Sequence, residues 1–223
     1  MTLEVCCGNI ESVHAAVQGG APRIELCSHL EMDGLTPAWE DLKTARTLYP
    51  QLTIHVLIRP RGGNFCYSPA EVRQMAGEIA TALELGADGI VVGALTAEGD
   101  VDLSAMQQLM APNVTFHRAF DHCRNPFQAL EEVIGLGCRR ILTSGQAATA
   151  LEGATLIRAL REQAAGRILL LPGGGVTPEN ARQIIQFTGC MELHASASIK
   201  KADDTKVTSA PKVAAILKAV YSE

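Results

Sequence analysis

Eight short apolar segments punctuate the chain: LEVCC (Leu3 to Cys7), RIELC (Arg23 to Cys27), TIHVLIR (Thr53 to Arg59), GIVVGAL (Gly89 to Leu95), VTFHRAF (Val114 to Phe120), RILTSG (Arg140 to Gly145), RILLLPGGG (Arg167 to Gly175) and MELHAS (Met191 to Ser196). Short runs of this kind, bounded by turn residues, predict strands. Successive residues of a strand face opposite sides. Glu4 therefore shares a face with Cys6, Glu25 with Cys27, His55 with Arg59, Thr115 with His117, and Glu192 with His194. The opposite face is Leu, Val, Ile or Phe in nearly every segment. Isolated polar groups are costly in a core, so their recurrence on one face predicts that they converge on a common site.

Between these segments lie stretches with helix punctuation. Ser68-Pro69-Ala70-Glu71 reads as a capping box with proline at the first helical position. Thr36-Pro37, Asn125-Pro126 and Thr177-Pro178 repeat the cap-then-proline signal. Glycines at Gly19-Gly20, Gly86, Gly137, Gly166 and Gly189 mark helix ends shortly before the next strand. Regular strand–helix alternation implies parallel βαβ units. Eight units predict an α/β fold, a single (β/α)8 TIM-type barrel domain over residues 1–223. An open doubly wound sheet is the alternative, but its central strands would be apolar on both faces. The polar stretch Ile199 to Ser209 reads as a mobile loop before a final helix, Pro211 to Tyr221.

Composition narrows the partners. The chain is 47% hydrophobic and 19% charged, which suits a protein with a sizeable core. A net charge of −5 with mixed signs, and only 4% aromatic residues, argues against nucleic acid and anionic membranes as partners. No apolar run approaches the roughly 20 residues that span a bilayer. Met1 to Gly8 runs directly into a strand without a signal-like leader, and an odd number of cysteines, seven, fits a reducing compartment. A cytoplasmic location and a homo-oligomeric assembly are expected.

The segments LEVCC, RIELC with DGLTP (Asp33 to Pro37), IRPRGGNFCYS (Ile58 to Ser68), TFHRAFD (Thr115 to Asp121), RILTSG and ELHAS resemble the CutC copper homeostasis family, over nearly the whole barrel to about Ser196. The sequence departs from that pattern at Met32-Asp33-Gly34, where the family has Gly-Gly. The resemblance implies a cytoplasmic (β/α)8 protein linked to copper tolerance. It further implies Cu(I) as the bound cofactor, with Cys6 and Cys27, which end the first two strands, as the metal ligands.

The residues support two chemistries. Neighbouring strands lie about 4.8 Å apart, so thiolates of Cys6 and Cys27 could share one soft ion; as packing groups they would instead be small hydrophobes. Cys7 faces the other way, and no CxxC or HxxxH pattern points to a closed zinc site. Glu4, Glu25 and Glu192 must be paired or must titrate inside a barrel, with Arg59, Arg61, Arg118 and the imidazoles of His55, His117 and His194 as expected partners. Together with Asp121, which could orient His117, these acids and imidazoles form a candidate acid–base set. Arg59, Arg61 and Arg118, with Ser144, Gly173, Gly174 and Ser196 in the later loops, form a candidate anion site. His14, His29 and His122 are expected to be solvated. The alternative to copper handling is thus an enzyme acting on a small anionic metabolite, phosphorylated or carboxylated. No inward-facing strand position carries Lys, which disfavours Schiff-base chemistry.

Overall fold

A computed structural model describes residues 1–201 and 205–221. Eight strands alternate with helices: β1 (Thr2–Cys7), α1 (Ile10–Gln18), β2 (Arg23–Leu26), α2 (Trp39–Leu48), β3 (Thr53–Leu57), α3 (Pro69–Glu84), β4 (Gly89–Val92), α4 (Leu103–Leu109), β5 (Val114–Phe116), α5 (Pro126–Gly135), β6 (Arg140–Thr143), α6 (Ala154–Ala164), β7 (Leu169–Pro172), α7 (Ala181–Thr188) and β8 (Glu192–Ala195). All eight run parallel, each beside its sequence neighbour, and β1 also pairs with β8. A parallel bridge between Gly173 and His194 links β7 to β8, so the ring is nearly closed. This is the expected (β/α)8 barrel, and the doubly wound alternative is excluded.

The strands are short because the pairing ends where the chain must turn outward. The outward faces, among them Leu3, Val5, Ile24, Ile54, Ile90, Phe116, Ile141 and Leu193, pack against the helices in one large core. Helix starts follow the sequence signals at two of the four positions. Ser68 and Glu71 form the reciprocal capping box of α3, and Asn125 caps α5. Thr36 and Thr177 do not cap. Thr36 accepts from the backbone N–H of Arg59 and donates to Glu78, while α7 starts only after Asn180.

The segment expected as a mobile loop is folded where it is described. β9 (Ser198–Lys200) and β10 (Lys206–Thr208) form an antiparallel ribbon ahead of α8 (Ala210–Tyr221); residues 202–204 lie outside the described residues. The ribbon is tied to the barrel by Thr208, whose N–H donates to Ser12 and whose hydroxyl donates to the Cys6 carbonyl. Among the described residues, no helix is long and apolar enough to cross a membrane.

Candidate functional site

The inward strand face carries a continuous chain of charges. At its floor, Arg23 and Arg140 begin β2 and β6 and converge on Glu192 at the start of β8. Arg23 makes two bonds to the Glu192 carboxylate, at 2.7 and 3.2 Å, and Arg140 Nε donates at 2.8 Å. One layer up, fully buried Glu4 accepts from Arg23 Nε at 2.6 Å, with the Nδ1 atoms of His194 and His55 each 2.9 Å away. Asn113 donates to His55 Nε2, which leaves the His55 proton on Nδ1, the atom nearest Glu4. His194 then passes the connection to the mouth, its Nε2 lying 3.5 Å from Glu25.

The charges of this chain close on themselves. Arg23, Arg140 and a protonated His194 balance Glu4, Glu25 and Glu192. Burial opposes the charge on His194, but Glu25, Cys6 and Glu4 around it carry its pKa well above the usual imidazole value. Burial also disfavours ionised Glu4, yet the bonds from His194 and His55 and the charge of Arg23 hold its pKa well below the carboxylate range. Glu192 is likewise lowered against burial by Arg23 and Arg140. Glu25, with burial dominating over the attraction of His194, is raised.

Above this network opens a cavity of about 840 Å³, lined by residues from the C-terminal ends of the strands. Glu25, His117, His194, Cys6 and Cys27 line it together, with Arg59, Arg118, Gly174 and Ser196. The predicted convergence is therefore present for these residues. Cys6 and Cys27 face each other with their sulfur atoms 3.5 Å apart. The ligand atoms of Cys6, Glu25 and His194 lie within 4.8 Å of one another, close enough to hold an ion. The Cys6 thiol is pushed well up by its contact with Cys27 and by burial. At Cys27 the Cys6 contact pulls down, but burial prevails and the pKa is raised.

The other sequence-derived residues lie elsewhere. Glu4, His55 and Glu192 form the layers beneath the cavity and do not line it. Glu4 meets the expected imidazoles His55 and His194, but the arginines paired with Glu4 and Glu192 are Arg23 and Arg140, not the mouth arginines expected from the sequence. Both floor arginines stand at the first position of their strands, with the inward parity of Glu25 and Leu142, so the alternation rule could have found them. Arg61 lies beyond the strand end, where parity no longer holds. It turns outward to Glu71 at 2.5 Å and to the carbonyls of Gly62, Asn64 and Cys66, and so organises the loop before α3.

Asp121 does not orient His117. It accepts from Thr143, from the N–H groups of Ser144 and Gln146, and from Arg118 Nε at 2.8 Å. Ser144 is buried in that same network and Gly173 is absorbed into the sheet, so neither lines the cavity. Arg118 does, because the chain leaves β5 in a tight helical turn, Arg118 to His122, which swings its side chain back to the rim. The same turn brings His122, expected to be only solvated, to the cavity wall beside Phe65, ring centroids 5.5 Å apart. Phe65 itself has no sequence signal.

His117 sits deepest on this side. A side chain at Gly93, directly after β4, would meet its ring at 2.6 Å, so the imidazole occupies space that glycine leaves free. Ala119 N–H donates to His117 Nδ1 at 3.2 Å. Burial, then the adjacent Arg59 charge, depress its pKa to about 3, so the ring is neutral with its proton on Nε2.

The fold is a (β/α)8 barrel that presents paired thiols, a buried acid–imidazole couple and a separate guanidinium to one cavity at its mouth. The CutC family model matches residues 1–199. The chain is 52% identical to a family protein CutC of Bacteroides thetaiotaomicron, covering 91% of this chain and 83% of that one, and 50% identical to one of Chromobacterium violaceum, covering 87% and 80%. The solved structure of CutC from Streptococcus agalactiae superposes with a TM-score of 0.84 at 34% identity, covering 88% of this chain and 98% of that one. The chain belongs to the CutC family. Phosphoribosylanthranilate isomerase of Thermotoga maritima shares the fold alone, with a TM-score of 0.63 at 12% identity.

Proposed function

We propose that this protein serves copper homeostasis by binding Cu(I) as cargo between Cys6 and Cys27. The observation that carries the reading is the 3.5 Å approach of the two sulfur atoms at the cavity wall. Thiolates select soft cations such as Cu(I) over hard ones. Cys6 lies in β1, and Cys27 directly follows β2 with its N–H bonded to the Cys7 carbonyl at 3.0 Å, so both are fixed by the sheet edge. The Streptococcus agalactiae relative is named for copper homeostasis, which agrees. The protein works in the cytoplasm on this reading, since all seven cysteines are free although two stand in contact.

The test is competition with a Cu(I) chelator. Cys6→Ser combined with Cys27→Ser is expected to weaken binding by at least about a hundredfold. An unchanged affinity in the double variant removes the proposal. Because both thiols are protonated at neutral pH, each must release a proton to bind. Apparent affinity should therefore rise about a hundredfold per pH unit between about pH 6 and 8 in the wild type, and about tenfold in either single variant. A pH-independent wild-type affinity would contradict two-thiolate coordination.

A further inference from the structure

We infer that the same cavity holds a second, independent site: Arg59 and His117 bind the carboxylate of a small organic monoacid. Arg59 lines the cavity while only 4% exposed, and among the described residues no carboxylate lies within 4.0 Å of its guanidinium. Its bonds go to neutral acceptors, the carbonyls of Met32, Gly34 and Gly63 at 2.8 to 3.0 Å. A buried charge is ordinarily paired. Glu25, the acid on the thiol–imidazole side of the cavity, lies against His194 Nε2 at 3.5 Å and forms no ion pair with Arg59.

Two donors wait unused on this wall. Arg59 Nε has no hydrogen-bond partner, and neither does His117 Nε2, which carries the ring proton. Both atoms are closed to solvent, with Phe65 packed on each group at 5.0 Å from its ring centre. The proposal requires that a ligand displace that ring. The charge count sets the ligand class. Arg118, the other cavity arginine, is already paired with Asp121, and the exposed Asp33 on the cavity rim forms no ion pair with Arg59, so Arg59 is the buried cation without a carboxylate partner. One carboxylate matches it in charge and offers one oxygen to Arg59 Nε and one to His117 Nε2. A phosphate dianion would bring a second, unmatched charge.

The experiment is calorimetric titration of the full-length, metal-free protein with acetate, lactate, pyruvate and benzoate, with their amides, and with inorganic phosphate. At least one carboxylate is expected to bind saturably, about tenfold or more tighter than its amide and tighter than phosphate. Arg59→Met should lower its affinity at least about thirtyfold and Arg59→Lys should fall between. Cys6→Ser with Cys27→Ser should leave it unchanged, which separates this site from the copper reading. Because Arg59 also ties loops together, His117→Asn serves as a second variant; its amide oxygen can keep the Ala119 bond without reaching the ligand, and about tenfold weaker binding is expected. The proposal is overturned if no carboxylate saturates, if the amide or phosphate binds as tightly, or if a folded Arg59→Met or His117→Asn variant binds like the wild type.

Discussion

Glu4→Gln is expected to lower unfolding free energy by about 3–5 kcal/mol, the range for breaking a buried ion network. Its carboxylate is fully buried, takes bonds from Arg23 and His194, and lies 2.9 Å from His55 Nδ1. Glutamine keeps one oxygen acceptor and turns an N–H₂ toward groups that are themselves donors. It also leaves the network with an excess positive charge in a dry interior. For a chain of this length the melting temperature should fall by about 6–20 °C. Denaturant titration at neutral pH gives the free energy directly, and a loss below about 1 kcal/mol would show that Glu4 is not the keystone of the floor.

The pH dependence has a sign that the variant should reveal. Glu4 has a folded pKa below its unfolded value of about 4.3, so its stabilisation is present above that value and is lost as pH falls through the folded pKa. Wild type and Glu4→Gln should thus converge in stability as the solution is acidified below about pH 4. His194 acts oppositely. Its folded pKa is raised, so its share is complete below about pH 6.5 and is lost as pH rises through the folded value.

Gly153→Ala is the second large effect, with an expected loss of about 3 kcal/mol or more from overpacking. Gly153 starts α6 against the turn after β6, and a Cβ there would overlap the carbonyl oxygen of Ser144 and lie 2.8 Å from Gly145 Cα. Gly145 in turn has φ +71, with its own Cβ position occupied by the Gly153 backbone. Backbone meets backbone here, so no side chain can yield. The shift would be transmitted to the site, because Ser144 holds both Asp121 and Arg118. Gly77→Ala is the control. It lies mid-helix in α3 with nothing within 4 Å of the added Cβ, and should stabilise by about 0.5–1 kcal/mol. Thermal melts of the two variants should therefore move in opposite directions.

The strand–helix alternation, the barrel and the inward face of Glu4, Glu25, His55, His117, Glu192 and His194 were all written in local pattern. Period-two alternation and caps act over a few residues, so they can be read without knowing what lies opposite. The same rule reaches Cys6 and Cys27, whose facing sulfurs follow from parity on neighbouring strands. Partners were decided only by closure of the ring. Glu4 meets His194 across the β1–β8 seam, and Glu192 meets Arg23 and Arg140 at the floor, through contacts 190, 169 and 52 residues apart in sequence. Depth was decided there too, since parity tells which way a side chain points but not whether it stands in the floor or at the mouth. Beyond the strand ends parity lapses. The turn after β5 brings Arg118 and His122 to the cavity, while the loop after β3 sends Arg61 away and leaves Arg59 buried without a countercharge.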